Sequence, residues 1–382
     1  MTPFRHLGNS SLIFGNGAVG DLPRRIPGDG PVLFVTGRHF AASRAWHRLE
    51  SALRAAGRPY SRETVSGEPS PEMVDALAEA ARASGTEAVA AIGGGSVLDA
   101  GKAAAAMLRH EGSVADYLEG VGTKEPTGAA VPMVAVPTTA GTGSEATKNA
   151  VISRRGAGGF KKSLRHDAFI PAAAILDPEL AIGCPPEVSA ACGLDAFSQL
   201  LESFVSTGAT PVTDALARDG MIRFGRGSRL FAEKAYGTDR EIALRGELAL
   251  AAYYSGLTLA NAGLGTVHGL AGPLGAACEV PHGVACGLLL APVFRRIEET
   301  EPLERLALAG ALVLRGKSAA PGKEDARAVL DLFEEWSSRL PRLSSYGLTE
   351  EGLDGVVAAS GNKNSPVALG AAAMREALAE VL

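Results

Sequence analysis

Glu87–Leu108 reads EAVAAIGGGSVLDAGKAAAAML. The run EAVAAI predicts a buried strand, and Ser96–Leu108 has the apolar spacing of a helix. Three glycines, Gly93, Gly94 and Gly95, join the two. Outward from this unit the same rhythm repeats. Val32–Val35 (VLFV), Ser61–Val65 and Met133–Val136 read as short strands. Phe40–Ala56 and Met73–Ala83 read as helices between them. Strands alternating with helices predict a parallel sheet with helices on both faces. From Pro185 onward the character changes. Val188–Val205, Val212–Phe224, Arg240–Leu259, Gly283–Ile297, Asp325–Leu340 and Gly370–Leu382 all carry a 3.6-residue apolar period. The turn formers of DPELAIGCPP, Asp177–Pro186, mark the change. The expected organisation is an α/β domain over 1–182 and an all-α domain over 183–382.

Length and composition agree with two domains. The chain has 382 residues, against roughly 150 per domain. A hydrophobic fraction of 46% supplies large cores and excludes disorder. A net charge of -5 and an aromatic content of 5% argue against nucleic-acid binding. No apolar run approaches the ~20 residues of a membrane span, and the start, MTPFRHLGNSS, has no signal-like apolar core. A cytoplasmic location is expected. Cys184, Cys192, Cys278 and Cys286 form no CxxC pair, so they read as small buried apolar residues. RRGAGG, Arg154–Gly159, reads as a surface loop.

Three stretches carry candidate chemistry. At Gly93–Gly95, missing Cβ atoms allow a phosphate to approach the backbone, and the helix that follows offers its positive end. Ser96 suits a helix cap and Asp99 the first turn. Pro137–Glu145 (PTTAGTGSE) follows another strand and presents hydroxyls and glycines where open parallel sheets bind ligands. In the helical half, Asp195 and Gln199 share a helix face at i and i+4, and His268 and His282 each precede a glycine. One carboxylate, one amide and two imidazoles are a candidate divalent-metal set.

Together these motifs resemble the iron-containing (group III) alcohol dehydrogenase family. The resemblance rests on GGGSVLDAGK (Gly93–Lys102), PTTAGTGSE, LDPEL (Leu176–Leu180), GLDA (Gly193–Ala196) and the VHG and PHG segments at His268 and His282. It implies a Rossmann-like nucleotide domain followed by a helical metal and substrate domain, as in dehydroquinate synthase. It also implies an NAD(P)-dependent alcohol dehydrogenase or aldehyde reductase, a small alcohol or aldehyde as substrate and Fe²⁺ or Zn²⁺ as metal; a homodimer is expected from the general prior for soluble enzymes. Asp195, His268 and His282 fall on family metal and catalytic positions. Gln199 stands where the family has a fourth, histidine ligand, and Gly272 where it has a histidine near the nicotinamide. The cofactor positions carried over are Gly37, Arg38, Gly94, Gly95, Ser96, Asp99, Thr138, Thr139, Ser144, Asn149, Val151 and Lys161. Gly37 replaces the Asp of NAD-preferring members and Arg38 follows it, which favours NADP(H). The missing imidazoles keep a metal-independent reductase of maleylacetate reductase type as an alternative. A dehydroquinate synthase-like lyase ranks below it, because no set of basic residues surrounds Asp195 and His268.

Overall fold

In the computed structural model, strand Ala88–Gly93 (β4) lies at the centre of a six-stranded parallel sheet. The structure describes residues 3–154, 159–316 and 320–382; most of the surface loop expected at Arg154–Gly159 lies outside the described residues. The other strands are Ser11–Phe14 (β1), Val32–Gly37 (β2), Tyr60–Val65 (β3), Met133–Pro137 (β5) and Ala173–Leu176 (β8), in the order β1-β8-β5-β4-β2-β3. Asn149–Arg154 (β6) and Phe160–Arg165 (β7) form a separate antiparallel pair.

Alternation along the central strands builds two cores. Val32, Phe34, Ala90, Ile92, Val134 and Val136 face Trp46, Leu49 and Leu53 of helix Arg44–Ala55 (α1). Leu33, Val35, Val89, Ala91, Met133 and Ala135 face Leu77 and Ala81 of Pro71–Ala83 (α2) and Leu98 and Ala104 of Gly95–Met107 (α3). The sheet is therefore doubly wound, with both faces buried.

Chain order reverses beside β4. The chain runs from β2 outward to β3, returns to β4 on the other side of β2, and continues to β5. Thr36 pairs with Ile92 and Gly93 with Pro137. The loops that begin at Gly37, Gly93 and Thr138 thus leave neighbouring strands at one sheet edge. The carboxyl edge at such a switch point is where open α/β sheets bind ligands.

The helical unit comprises Gly183–Leu382, the loop Ala140–Gly143 and the N-terminal residues to His6. Its longer helices are Pro186–Val205 (α4), Pro211–Gly227 (α5), Glu241–Ala262 (α6), Thr266–Ala277 (α7), His282–Thr300 (α8), Glu304–Arg315 (α9), Lys323–Ser337 (α10) and Ala371–Ala379 (α11). Phe197 of α4 stacks on Phe333 of α10 at 4.2 Å between ring centroids, and Phe224 and Trp336 extend the cluster. No helix among the described residues is long and apolar enough to cross a membrane.

Candidate active site

The HG dipeptides explain how two histidines come into the helical core. A Cβ on Gly269 would sit 1.8 Å from the Gly361 carbonyl oxygen, and one on Gly283 would sit 2.6 Å from that of Ala191. Neither position accepts a side chain without backbone movement. The bare glycines let α7 approach residue 361 and let α8 press against α4, the helix that carries Asp195.

Asp195, His268, His282 and Cys286 there point one donor atom each at a common centre, all four within 4.8 Å of one another. His268 Nε2 lies 3.4 Å and His282 Nε2 3.8 Å from Asp195 Oδ1. Cys286 Sγ lies 3.5 Å from His268 Nε2 and 3.7 Å from His282 Nε2. Asp195 is 2% exposed, yet its Oδ1 has no hydrogen-bond partner among the described residues. A buried carboxylate oxygen without a donor is costly, and a cation at the common centre removes that cost. The donor set is therefore suited to a divalent metal.

Behind this centre stands Glu202, on the same helix as Asp195 and Gln199. Its Oε2 lies 2.6 Å from His268 Nδ1, and its Oε1 accepts from the Val267 N–H at 2.6 Å. The carboxylate fixes the His268 tautomer with Nε2 toward the centre, as carboxylates commonly do behind metal-bound histidines. The spacing Asp195–Gln199–Glu202, i, i+4 and i+7, was the sequence signal for it. Gln199 Oε1 accepts from Ser255 Oγ at 2.6 Å. At Gly272 a Cβ would meet nothing within 4 Å.

Charges at the centre are mutually supporting. Burial opposes an imidazolium at His268, but the negative charges of Cys286 and Glu202 hold its pKa well above the ordinary value. His282 is raised by Cys286, against burial, with Asp195 assisting. At Cys286 burial works against the thiolate, and the two imidazoles outweigh it, so its pKa is lowered. Asp195 is likewise lowered: burial opposes ionisation, and His282 and His268 overcome it.

The nucleotide-loop residues lie in the α/β unit. Gly94 is the N-cap of α3 and no side chain caps that helix; the expected Ser96 cap is absent because Ser96 already lies inside the first turn. The first-turn N–H groups thus need an outside acceptor. Thr138 N–H donates to the Gly93 carbonyl at 2.9 Å, and the Thr139 side chain lies 3.4 Å from where a Gly94 Cβ would be. Asp99 accepts from Ser144 Oγ at 2.5 Å and from the Val151 N–H at 3.0 Å. Buried Lys102 donates to the carbonyls of Ser144 and Asn149, both at 2.8 Å. Lys161 pairs with Glu68. Exposed Arg38 donates to Ser66 Oγ at 3.1 Å. Gly37 leaves room, since a Cβ there meets only Val97, at 3.7 Å.

Residues 9–178 match the model of the iron-containing alcohol dehydrogenase family, and residues 189–382 match that family's C-terminal model. The chain belongs to the iron-containing alcohol dehydrogenases. A sulfoacetaldehyde reductase of Bilophila wadsworthia (strain 3_1_6) is 31% identical over 361 residues, 92% of this chain and 90% of that protein. Long-chain-alcohol dehydrogenase 1 of Geobacillus thermodenitrificans (strain NG80-2) is 38% identical over 212 residues, 56% of this chain and 52% of that protein. The chain thus spans about half of that relative. The sulfoacetaldehyde reductase of Bifidobacterium kashiwanohense, solved in complex with NAD+, superposes with a TM-score of 0.84 at 27% identity, covering 100% of this chain and 99% of that one. Glu202 and Cys286 are the residues that sequence reading left out. Cys286 sits four residues after His282 on α8, the same spacing that singled out Gln199.

Proposed function

We propose that this dehydrogenase interconverts a small alcohol and its aldehyde with NAD(P) and a divalent metal held by Asp195, His268 and His282. The observation that carries the reading is the buried, unpartnered Asp195 Oδ1 facing two imidazole nitrogens. When bound, the metal polarises the substrate oxygen and the nicotinamide carries the hydride. The chain's own part is to bind and orient. Gly93–Gly95 and the uncapped α3 N-terminus suit a pyrophosphate, with Thr138, Thr139, Ser144, Asn149, Val151 and Lys161 as the remaining cofactor set. Glu202 keeps His268 oriented. Mixing the purified chain with aldehydes and NADH or NADPH, with Fe²⁺, with Zn²⁺ and with neither, tests this. Metal-dependent cofactor oxidation supports it; full activity without metal favours the reductase of maleylacetate reductase type.

NADP(H) is the favoured cofactor. Gly37 offers no carboxylate to repel a 2′-phosphate, and the neighbouring Arg38 can pair with one. Gly37→Asp should shift the ratio of kcat/KM values toward NAD. A parent that already prefers NAD would overturn the preference. A cytoplasmic homodimer is the proposed form. β1 is an edge strand with exposed Leu12 and Phe14, the kind of edge that pairs with another chain. Light scattering measures the state directly.

A further inference from the structure

The notable feature of the metal centre is the group standing fourth in it. Cys286 is fully buried, and its sulfur is one of the four convergent donors. Gln199, the residue expected at that place, accepts a hydrogen bond from Ser255 Oγ on its amide oxygen. We infer that the Cys286 thiolate is the fourth protein ligand of the metal, which makes this an Asp-His-His-Cys centre suited to zinc rather than iron. The inference rests on the metal reading above and concerns which atoms complete the site.

Two geometric observations carry it. Metal–nitrogen and metal–oxygen bonds of about 2.1 Å and a metal–sulfur bond of about 2.3 Å, tetrahedrally arranged, put sulfur roughly 3.6 Å from each nitrogen and oxygen roughly 3.4 Å from each nitrogen. Four of the six donor pairs have spacings near these, 3.5 and 3.7 Å for sulfur to nitrogen and 3.4 and 3.8 Å for oxygen to nitrogen, and all six lie within 4.8 Å. Asp195 Oδ1, buried among these donors, makes no hydrogen bond among the described residues. The second observation is access. Asp195, His268 and Cys286 are buried, whereas the His282 side chain is 32% exposed. The exposed part of the set is thus at His282.

Ligation releases the thiol proton to solvent as the sulfur–metal bond forms. A soft thiolate beside two imidazoles favours zinc over iron, where an amide oxygen would have been a harder donor.

Cobalt(II) is the probe, since it takes the zinc geometry and reports sulfur ligation in its spectrum. The chain stripped of metal and loaded with one Co²⁺ should show a thiolate-to-cobalt charge-transfer band in the near ultraviolet. Cys286→Ser should lose the band, while Gln199→Ala, Cys192→Ser and Cys278→Ser keep it. Near-ultraviolet circular dichroism confirms that the Cys286→Ser and Cys286→Ala variants fold. Stoichiometric cobalt without the band, or a band that survives in Cys286→Ser, overturns the ligand assignment and leaves the metal reading standing. No cobalt bound to the parent chain at all overturns both. Zinc retained under excess Fe²⁺ by the parent, but exchanged in Cys286→Ser, is the expected selectivity; equal exchange in both contradicts it.

Discussion

At the level of single residues, Glu202 is the group whose role is most sharply defined. Both its oxygens are engaged, one on His268 Nδ1 and one on the Val267 N–H. Removing its charge leaves His268 without the acceptor that holds its tautomer. Carboxylates in this position typically account for 10- to ~100-fold in metal affinity. Glu202→Gln should therefore weaken zinc binding by about that factor in a chelator competition, with the fold intact by circular dichroism. Unchanged affinity would show that the carboxylate serves packing alone. Glu202 was legible only as a spacing, because an acid in a long helix ordinarily points to solvent. Of the four cysteines read as buried, Cys286 is buried while Cys184, Cys192 and Cys278 are partly exposed; burial tendency does not reveal which neighbours a small residue meets. The two HG glycines were visible, but what approaches them is backbone distant in sequence.

At the level of elements, α3 and the segment 144–151 are stitched together by Asp99 and Lys102. The Lys102 ammonium reaches Ser144 O, Ser144 Oγ, Thr147 Oγ1 and Asn149 O. Lys102→Met keeps the stem and strands those acceptors. A loss on the order of 3 kcal/mol is expected in denaturant unfolding at neutral pH, with weaker nucleotide binding because the loop is freed. An unchanged midpoint would mean that the loop holds itself. The central strands were legible as uninterrupted apolar runs, since both faces of the sheet are covered. The β6–β7 pair was not, because NAVISR and FKKSLR mix polar and apolar residues. Helix α7 was hidden by Pro273 inside it. Phe40–Ala56 reads as one helix but divides at Ser43, whose side chain accepts from Trp46 N–H and starts α1 afresh.

For the molecule as a whole, two buried charges set a pH dependence. Burial raises Glu145 from its ordinary 4.5 to about 7, so the folded chain holds a proton that the unfolded chain has released. This contribution is full below pH 4.5 and is lost as pH rises through 7. Burial lowers Lys102 from 10.5 to about 8, so its contribution is present above pH 10.5 and lost as pH falls through 8. Both charges are buried at their greatest cost between pH 7 and 8. Glu145→Gln should raise Tm at pH 8 and change little at pH 4; equal shifts at both would exclude Glu145 as the titrating group. The two-unit organisation and the parallel sheet were readable because period and composition change near residue 182. The grouping of Ala140–Gly143 with the helices was not. It depends on Gly143, with φ +62°, where a Cβ would sit 2.5 Å from Gly256 Cα. The most direct measurement is bound metal and aldehyde-dependent NAD(P)H oxidation, followed together in the parent and in Asp195→Ala. One metal per parent chain, with metal and turnover both lost in a folded variant, is the expected result. Undiminished turnover in a metal-free Asp195→Ala chain would contradict a dehydrogenase centred on that carboxylate.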